Sequence, residues 1–264
     1  MVYRDIQRIV SSNECAGCGK VFAQILLTTP FCIVTQRFCE ACVEKEDRKE
    51  KAIKKQQEEK SHKEWLRKIG IKEQYEKATL DNYKPSNSSQ YEALEACRKL
   101  NSREITKLVL LGSNGVGKTH LASALVKYNN GLLITAYEMF ATYRACFSAN
   151  YKYNELEIIK RLSEVPLLAI DEFGRTKGSE AEENFLSVVI DNRHSNNLPT
   201  LILSNLIRKR DCVFFDPNNT DKCKSCNRNQ CLESRITKDV LSRLRENSNV
   251  ILINGEDYRK GGNR

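Results

Sequence analysis

Apolar positions follow three different spacings along this 264-residue chain. From about residue 79 onwards, short apolar runs alternate with stretches of helical spacing: KLVLLG (Lys107 to Gly112), then HLASALVKY, then GLLITAY, PLLAID and TLILSN. Buried strands separated by helices predict an α/β domain, a parallel sheet sandwiched by helices, since each crossover lays its helix on one face. Residues 44 to 78 differ: EKEDRKEKAIKKQQEEKSHKEWLRKIGIKEQYEKA is dense in good helix formers, with opposite charges three and four apart. Trp65, Leu66 and Ile69 give it a thin apolar stripe, so it predicts a charged helical linker that docks lightly. Residues 1 to 43 have little helical periodicity and form a third zone. The expected organisation is a module over 1–43, a linker over 44–78 and a main domain over 79–264.

Composition narrows the classes. The chain is 40% hydrophobic, enough for a core, while a mean hydropathy of −0.53 and the lack of a long apolar run exclude a membrane-spanning helix. MVYRDIQRIVSSNECAGCGK lacks the apolar stretch and small-residue cleavage site of a signal peptide, so a cytoplasmic protein without a membrane partner is expected. In a reducing compartment eleven cysteines point to metal rather than to disulfides. The net charge of +9 fits either simple solubility or contact with nucleic acid or an acidic partner, and charge alone does not separate the two.

The chemistry concentrates after the first apolar run. Gly112-Ser113-Asn114-Gly115-Val116-Gly117-Lys118-Thr119 is a G-x-x-x-x-G-K-[ST] loop placed after a strand and opening a helix. Its glycines let backbone N–H groups turn inward around phosphate oxygens, and the helix N-terminus adds a favourable dipole. Lys118 is expected to reach the β- and γ-phosphates of ATP, and the Thr119 hydroxyl to ligate Mg²⁺. PLLAIDEFG ends a second apolar strand on Asp171 and Glu172, some fifty residues further on. An aspartate there can hold Mg²⁺ through water, and an adjacent glutamate can polarise the attacking water. Together they predict ATP hydrolysis.

Cys15-x-x-Cys18 and Cys39-x-x-Cys42 form a C-x₂-C…C-x₂-C framework within the usual spacing for tetrahedral Zn²⁺. Four thiolates close the coordination sphere, so the expected site is structural, and Cys32 between the pairs is expected to be a packed thiol. Cys97 and Cys146 have no sequence partners and are expected as core or surface thiols.

The order of ATLDNYKP, GSNGVGKTHLASAL, LLAIDEFGR, IDNRHSNNLPTLILSNL, SRLRE and GEDYR resembles the DnaC/DnaI-type helicase loaders. These are a branch of the AAA+ ATPases that also includes IstB-like transposition ATPases. The resemblance covers residues from about 79 to the end and implies an AAA+ P-loop sheet without a full helical lid. It implies that Asn205 is the sensor-1 group orienting the attacking water, and that Arg243 is an arginine finger supplied to a neighbouring subunit's ATP. Arg259 would be the sensor-2 arginine bound toward the nucleotide. A finger given in trans implies self-assembly into a helical or ring oligomer. An N-terminal zinc module ahead of the ATPase looks like the DnaI arrangement, in which that module contacts the replicative helicase.

One segment departs from the family. An insertion over 211–233 carries Cys212, Cys223, Cys226 and Cys231, whose C-x₁₀-C-x₂-C-x₄-C spacing can close around a second Zn²⁺; the alternative is four unpaired thiols in an exposed loop. In YRACFSANYKY, Tyr143, Phe147, Tyr151 and Tyr153 interleave with Arg144 and Lys152. Such a segment can stack unpaired bases and track phosphates, with Arg144, Phe147, Tyr151 and Lys152 as DNA-binding candidates, or it can pack under a helix.

The expected function is an ATPase, slow and partner-stimulated, that loads a replicative DNA helicase onto single-stranded DNA in replication initiation or restart. The alternatives are an IstB-like transposition helper acting on duplex DNA, or a zinc-bearing adaptor using ATP as a static switch.

Overall fold

The computed structural model describes residues 7–28, 33–34, 37–148, 151–175, 178–206, 231–232, 238–245 and 248–258. The chain divides into two compact units, Met1–Glu64 and Trp65–Arg264.

The first unit holds strands β1 (Gln7–Glu14), β2 (Val21–Thr28) and β3 (Ile33–Val34) in one antiparallel sheet of that order. Its turn between β1 and β2 carries Cys15 and Cys18. Helix α1 (Glu40–Lys68) follows, with Cys39 just before it and Cys42 in its first turn. The body of α1 is solvated, as its charge pattern requires, and carries Glu44–Arg48 and Glu46–Lys49 pairs.

The second unit begins within the predicted linker, at Trp65. Leu66, Ile69 and Ile71 are buried in its core, and the Leu133 N–H donates to the Ile69 carbonyl at 2.9 Å. The thin apolar stripe at residues 65–71 is therefore core rather than a light docking face.

Helices α2 (Ser88–Asn101), α3 (Lys118–Tyr128), α4 (Ala136–Ala145), α5 (Glu155–Glu164), α6 (Glu180–Ser195) and α7 (Lys238–Arg245) flank a five-stranded sheet. Its strands are β4 (Lys107–Gly112), β5 (Leu132–Thr135), β6 (Leu168–Asp171), β7 (Thr200–Ser204) and β8 (Ser248–Ile253), in the order β5-β6-β7-β4-β8, all parallel. Side chains alternate between the two faces of β4. Leu108 and Leu110 pack among residues of α2 and α3, whereas Val109 and Leu111 pack among residues of α4, α5, α6 and α7. Every residue of β4 is buried, as a central parallel strand requires.

Three helices start with reciprocal capping boxes: Thr135 with Glu138, Asn154 with Glu157 and Ser179 with Glu182. Each satisfies two backbone donors that an uncapped helix end would leave open. Inside the α6 face, Arg193 is fully buried and its guanidinium donates to the carbonyls of Leu162, Ser163, Val165 and Pro199 and to Thr200 Oγ1. It ties α5, α6 and the start of β7 together.

Candidate nucleotide site

The functional side chains collect where β4, β6 and β7 end. Parallel strands all deliver their C-terminal ends to one edge of the sheet, so residues far apart in sequence meet there. β4 runs straight into the glycine loop, whose Gly115 and Gly117 have φ of +83° and +97°. A Cβ on Gly117 would lie 2.6 Å from the Tyr83 ring, so both conformation and contact demand glycine there.

Lys118 opens α3 and is nearly buried. Its Nζ donates to the carbonyls of Gly112 and Ser113, both at 2.8 Å, and to Asn205 Oδ1 at 2.9 Å. Asn205, just past β7, turns its Nδ2 to Asn114 Oδ1 at 2.8 Å, which links the end of β7 to the loop. Thr119 Oγ1 donates to Asp171 Oδ2 at 2.9 Å, and the Glu172 N–H donates to Asp171 Oδ1 at 2.7 Å. A hydroxyl beside a carboxylate offers hard oxygen donors that fit Mg²⁺. Glu172 adopts φ of +55°, uncommon for a residue with a side chain, and lies 2.9 Å from Arg175 in an exposed ion pair.

Sequence reasoning missed the supports of this edge. Ser204 Oγ donates to the Phe173 carbonyl at 2.6 Å and accepts the Leu206 N–H at 3.1 Å, so it clamps the ends of β6 and β7 together. Tyr83 Oη donates to the Val116 carbonyl at 3.3 Å, and its ring lies 5.5 Å from that of His120. Burial raises the Tyr83 phenol and lowers the His120 imidazole. His120 Nε2 faces the Thr79 carbonyl at 3.1 Å and Asn82 Oδ1 at 3.0 Å, two acceptors, which assigns the proton to Nε2. Tyr258, beyond β8, lines the same cavity.

That cavity has a volume of about 510 Å³ and is lined by Lys118, Thr119, Asp171, Glu172 and Asn205 together with Tyr83, His120 and Tyr258. It is of the size that small-molecule sites occupy. A cation, a hydroxyl and two carboxylates therefore converge on one concave surface beside the glycine loop.

Other predicted residues lie elsewhere. Arg243 sits on α7, outside the cavity lining; its Nε donates to Asp191 Oδ1 on α6 at 2.8 Å, and its carbonyl accepts from Lys107 Nζ at 2.7 Å. Arg259, Cys212, Cys223, Cys226 and Cys32 lie outside the described residues; Cys231 is described and buried.

Of the aromatic segment, Tyr143 is core: it stacks on Phe185 at 4.5 Å and meets Phe147 edge-on at 5.2 Å. Arg144 is ion-paired with Glu182, the capping glutamate of α6. Phe147 and Tyr151 are exposed, while Lys152 and Arg161 lie over the Tyr153 ring at 5.2 and 4.4 Å. Cys97 is buried within α2, and burial pushes its thiol up. Cys146 is half-buried, with its thiol raised chiefly by burial.

In the first unit the sulfurs of Cys15, Cys18, Cys39 and Cys42 lie within 4.8 Å of one another, with Cys18 and Cys39 at 3.7 Å. Tetrahedral thiolate zinc needs sulfurs about 3.8 Å apart for Zn–S of about 2.3 Å, so the four fit that ion. Cys15 Sγ accepts the Cys39 N–H at 3.2 Å and the Gly17 N–H at 3.4 Å. The first of these N–H bonds is the main cause that brings the Cys15 thiol down to about 6, while the Cys18 thiol is the main cause that pushes Cys42 up to about 12. A thiolate stabilised in this way is a ready metal ligand.

A parallel P-loop sheet of this strand order, with a lysine, a threonine and an acidic pair at its C-terminal edge, defines an ATP-binding protein of the AAA+ fold. More narrowly, the chain belongs to the IstB-like ATP binding protein family, whose sequence profile matches residues 33–223. Among curated relatives, a replicative helicase loader DnaC of Buchnera aphidicola subsp. Acyrthosiphon pisum is 32% identical over 152 residues, 54% of this chain and 62% of the relative. The replicative helicase loader DnaC of Escherichia coli K12 is 29% identical over 144 residues, 52% of this chain and 58% of the relative. The chain thus spans about three fifths of the length of the curated relatives it matches. A crystal structure of the DnaC helicase loader superposes with a TM-score of 0.52 at 24% identity, covering 69% of this chain and all of that one. AMPPCP-bound DnaA from Aquifex aeolicus superposes with a TM-score of 0.53 at 16% identity, over 69% of this chain and 52% of that one; both similarities concern the fold.

Proposed function

We propose that this chain is an ATPase that loads a replicative DNA helicase onto single-stranded DNA. The observation that supports it most is the convergence of Lys118, Thr119, Asp171, Glu172 and Asn205 on one cavity, in a chain about 30% identical to proteins named replicative helicase loader DnaC. Bound Mg²⁺ would supply charge neutralisation on the triphosphate. Lys118 gives the loop a fixed cation for the β- and γ-phosphates, and the Thr119 hydroxyl and Asp171 carboxylate are the donors that would hold the metal. Glu172 takes a proton from the attacking water as general base, while Asn205 orients that water. Arg243 completes a neighbour's site, so that self-assembly and hydrolysis depend on each other. The N-terminal zinc unit grips the helicase, and the exposed Phe147, Tyr151 and Lys152 contact unpaired DNA bases.

Glu172→Gln keeps the size of the side chain but removes the base, and ATP turnover should fall about 100-fold or more with ATP affinity retained. Unchanged turnover would sink the hydrolytic role. Loading is tested by strand displacement on circular single-stranded DNA covered with binding protein. Helicase activity should require the full chain and ATP. If the chain instead fails to associate with the cognate helicase but stimulates a transposase on duplex DNA, a transposition-helper function stands in its place.

A further inference from the structure

The segment that follows β8 crosses the phosphate loop, and its attachments are unusually many for five residues. Asn254 is fastened to the N-terminus of α2: its N–H donates to Ser89 Oγ at 2.9 Å, and its carbonyl accepts from Asn87 Nδ2 at 2.9 Å. Four residues later the Tyr258 hydroxyl lies 3.0 Å from the Lys84 carbonyl, 3.2 Å from Ser86 Oγ and 3.1 Å from Gln90 Oε1. Gln90 is fully buried, and its Oε1 also accepts the Ser86 N–H at 2.7 Å, so the anchor is itself fixed. Between these two fastenings the Tyr258 N–H donates to the Gly115 carbonyl at 3.2 Å, and a Cβ on Gly115 would lie 1.7 Å from Asp257 Oδ1.

We infer that residues 254–258 are a strap that positions the phosphate loop, with Tyr258 as the positioning residue. In a trans peptide the carbonyl oxygen and the next N–H lie in one plane and point in opposite directions. The described peptides include no cis bond, so holding the Gly115 carbonyl toward the strap turns the Val116 N–H away from it. Glycine at 115 leaves that plane free to rotate, and the loop binds phosphate through such N–H groups, so an external fastening decides where this donor points. The hydroxyl of Tyr258 holds the strap, and the strap holds the peptide. The residue therefore sets affinity for the β-phosphate region without being a catalytic residue.

It rests on the proposed nucleotide site, and titration of the full chain with fluorescent ATP and ADP analogues separates the two ideas. If the unaltered chain binds neither analogue, the nucleotide site itself fails. Tyr258→Phe, which keeps the ring and removes the hydroxyl, should weaken ATP and ADP alike, about fivefold to tenfold, because both carry the β-phosphate. Ser89→Ala, which removes one of the two bonds that fasten Asn254, should act in the same direction. Hydrogen exchange of residues 112–117 should quicken in both variants at temperatures where their circular dichroism matches that of the unaltered chain. A purely structural role would lower melting temperature and leave the affinity of the folded protein unchanged. Equal affinities and equal exchange in both variants would overturn the strap.

Discussion

Arg193 is a charged side chain held in the interior by carbonyl oxygens. Burial, with repulsion from Arg103, lowers its guanidinium to about 9, so it stays charged at neutral pH. Its fork distributes donors to four carbonyls and a hydroxyl at once, which a lysine ammonium cannot do from one nitrogen. Arg193→Ala should cost about 3 kcal/mol or more, since several buried acceptors lose their donors together; urea unfolding measures it. Arg193→Lys should recover only a small part of that loss. IDNRHSNN, read as a sequence, gives no hint of this role, because its polar neighbours suggest a solvated turn. Lys118 and Thr119 are the opposite case: loop spacing alone singled them out, and the folded chain puts Asn205 beside Lys118 and Asp171 beside Thr119. Tyr258 was hidden for a different reason. Its partners at 84–90 are about 170 residues away, and only the fold brings them together.

At the level of elements, apolar runs identified β4, β6 and β7, because a central parallel strand must be hydrophobic on both sides, and also β5, whose run is apolar although it lies at the sheet edge. The hairpin β1–β2 escaped notice: IVSSNE has no alternation strong enough to distinguish a strand from a loop. β8 was missed as well, its short run NVILIN lying among polar residues near the end of the chain. The capping boxes went unread although T-x-x-E, N-x-x-E and S-x-x-E stand ahead of three of the described helices. For the four-cysteine cluster, proposed to hold Zn²⁺, Cys15→Ser removes the thiol that takes two backbone N–H bonds, so native mass spectrometry should show one Zn²⁺ fewer per chain. Amide exchange across residues 7–28 should rise, because so small a sheet has little core of its own. ATP affinity should remain unchanged, since every residue lining the nucleotide cavity belongs to the second unit. Loss of ATP binding in that variant would contradict the independence of the two units.

For the whole molecule, the proposed trans role of Arg243 makes activity a property of pairs. Asp191 and Lys107 hold its side chain and its carbonyl, so the arginine is presented from α7 in a defined direction. Lys118→Ala lacks a nucleotide cation but keeps the finger; Arg243→Ala has the reverse defect. Each alone should be inactive, and an equimolar mixture should regain about a quarter of wild-type turnover by random head-to-tail pairing. No recovery on mixing would place the arginine's role within its own subunit.

The strand order also has a temporal meaning. β4 lies between β7 and β8, and β8 occupies residues 248–253, the last strand among the described residues. During synthesis the strand that carries the phosphate loop therefore waits as an open edge, able to pair with other chains, until residues 248–253 have left the ribosome. A nascent or prematurely terminated chain lacking residues 248–258 has neither its closing strand nor the strap on Gly115. On the proposed reading, a phosphate loop made early in synthesis is fastened in place only once residues 248–258 have followed it.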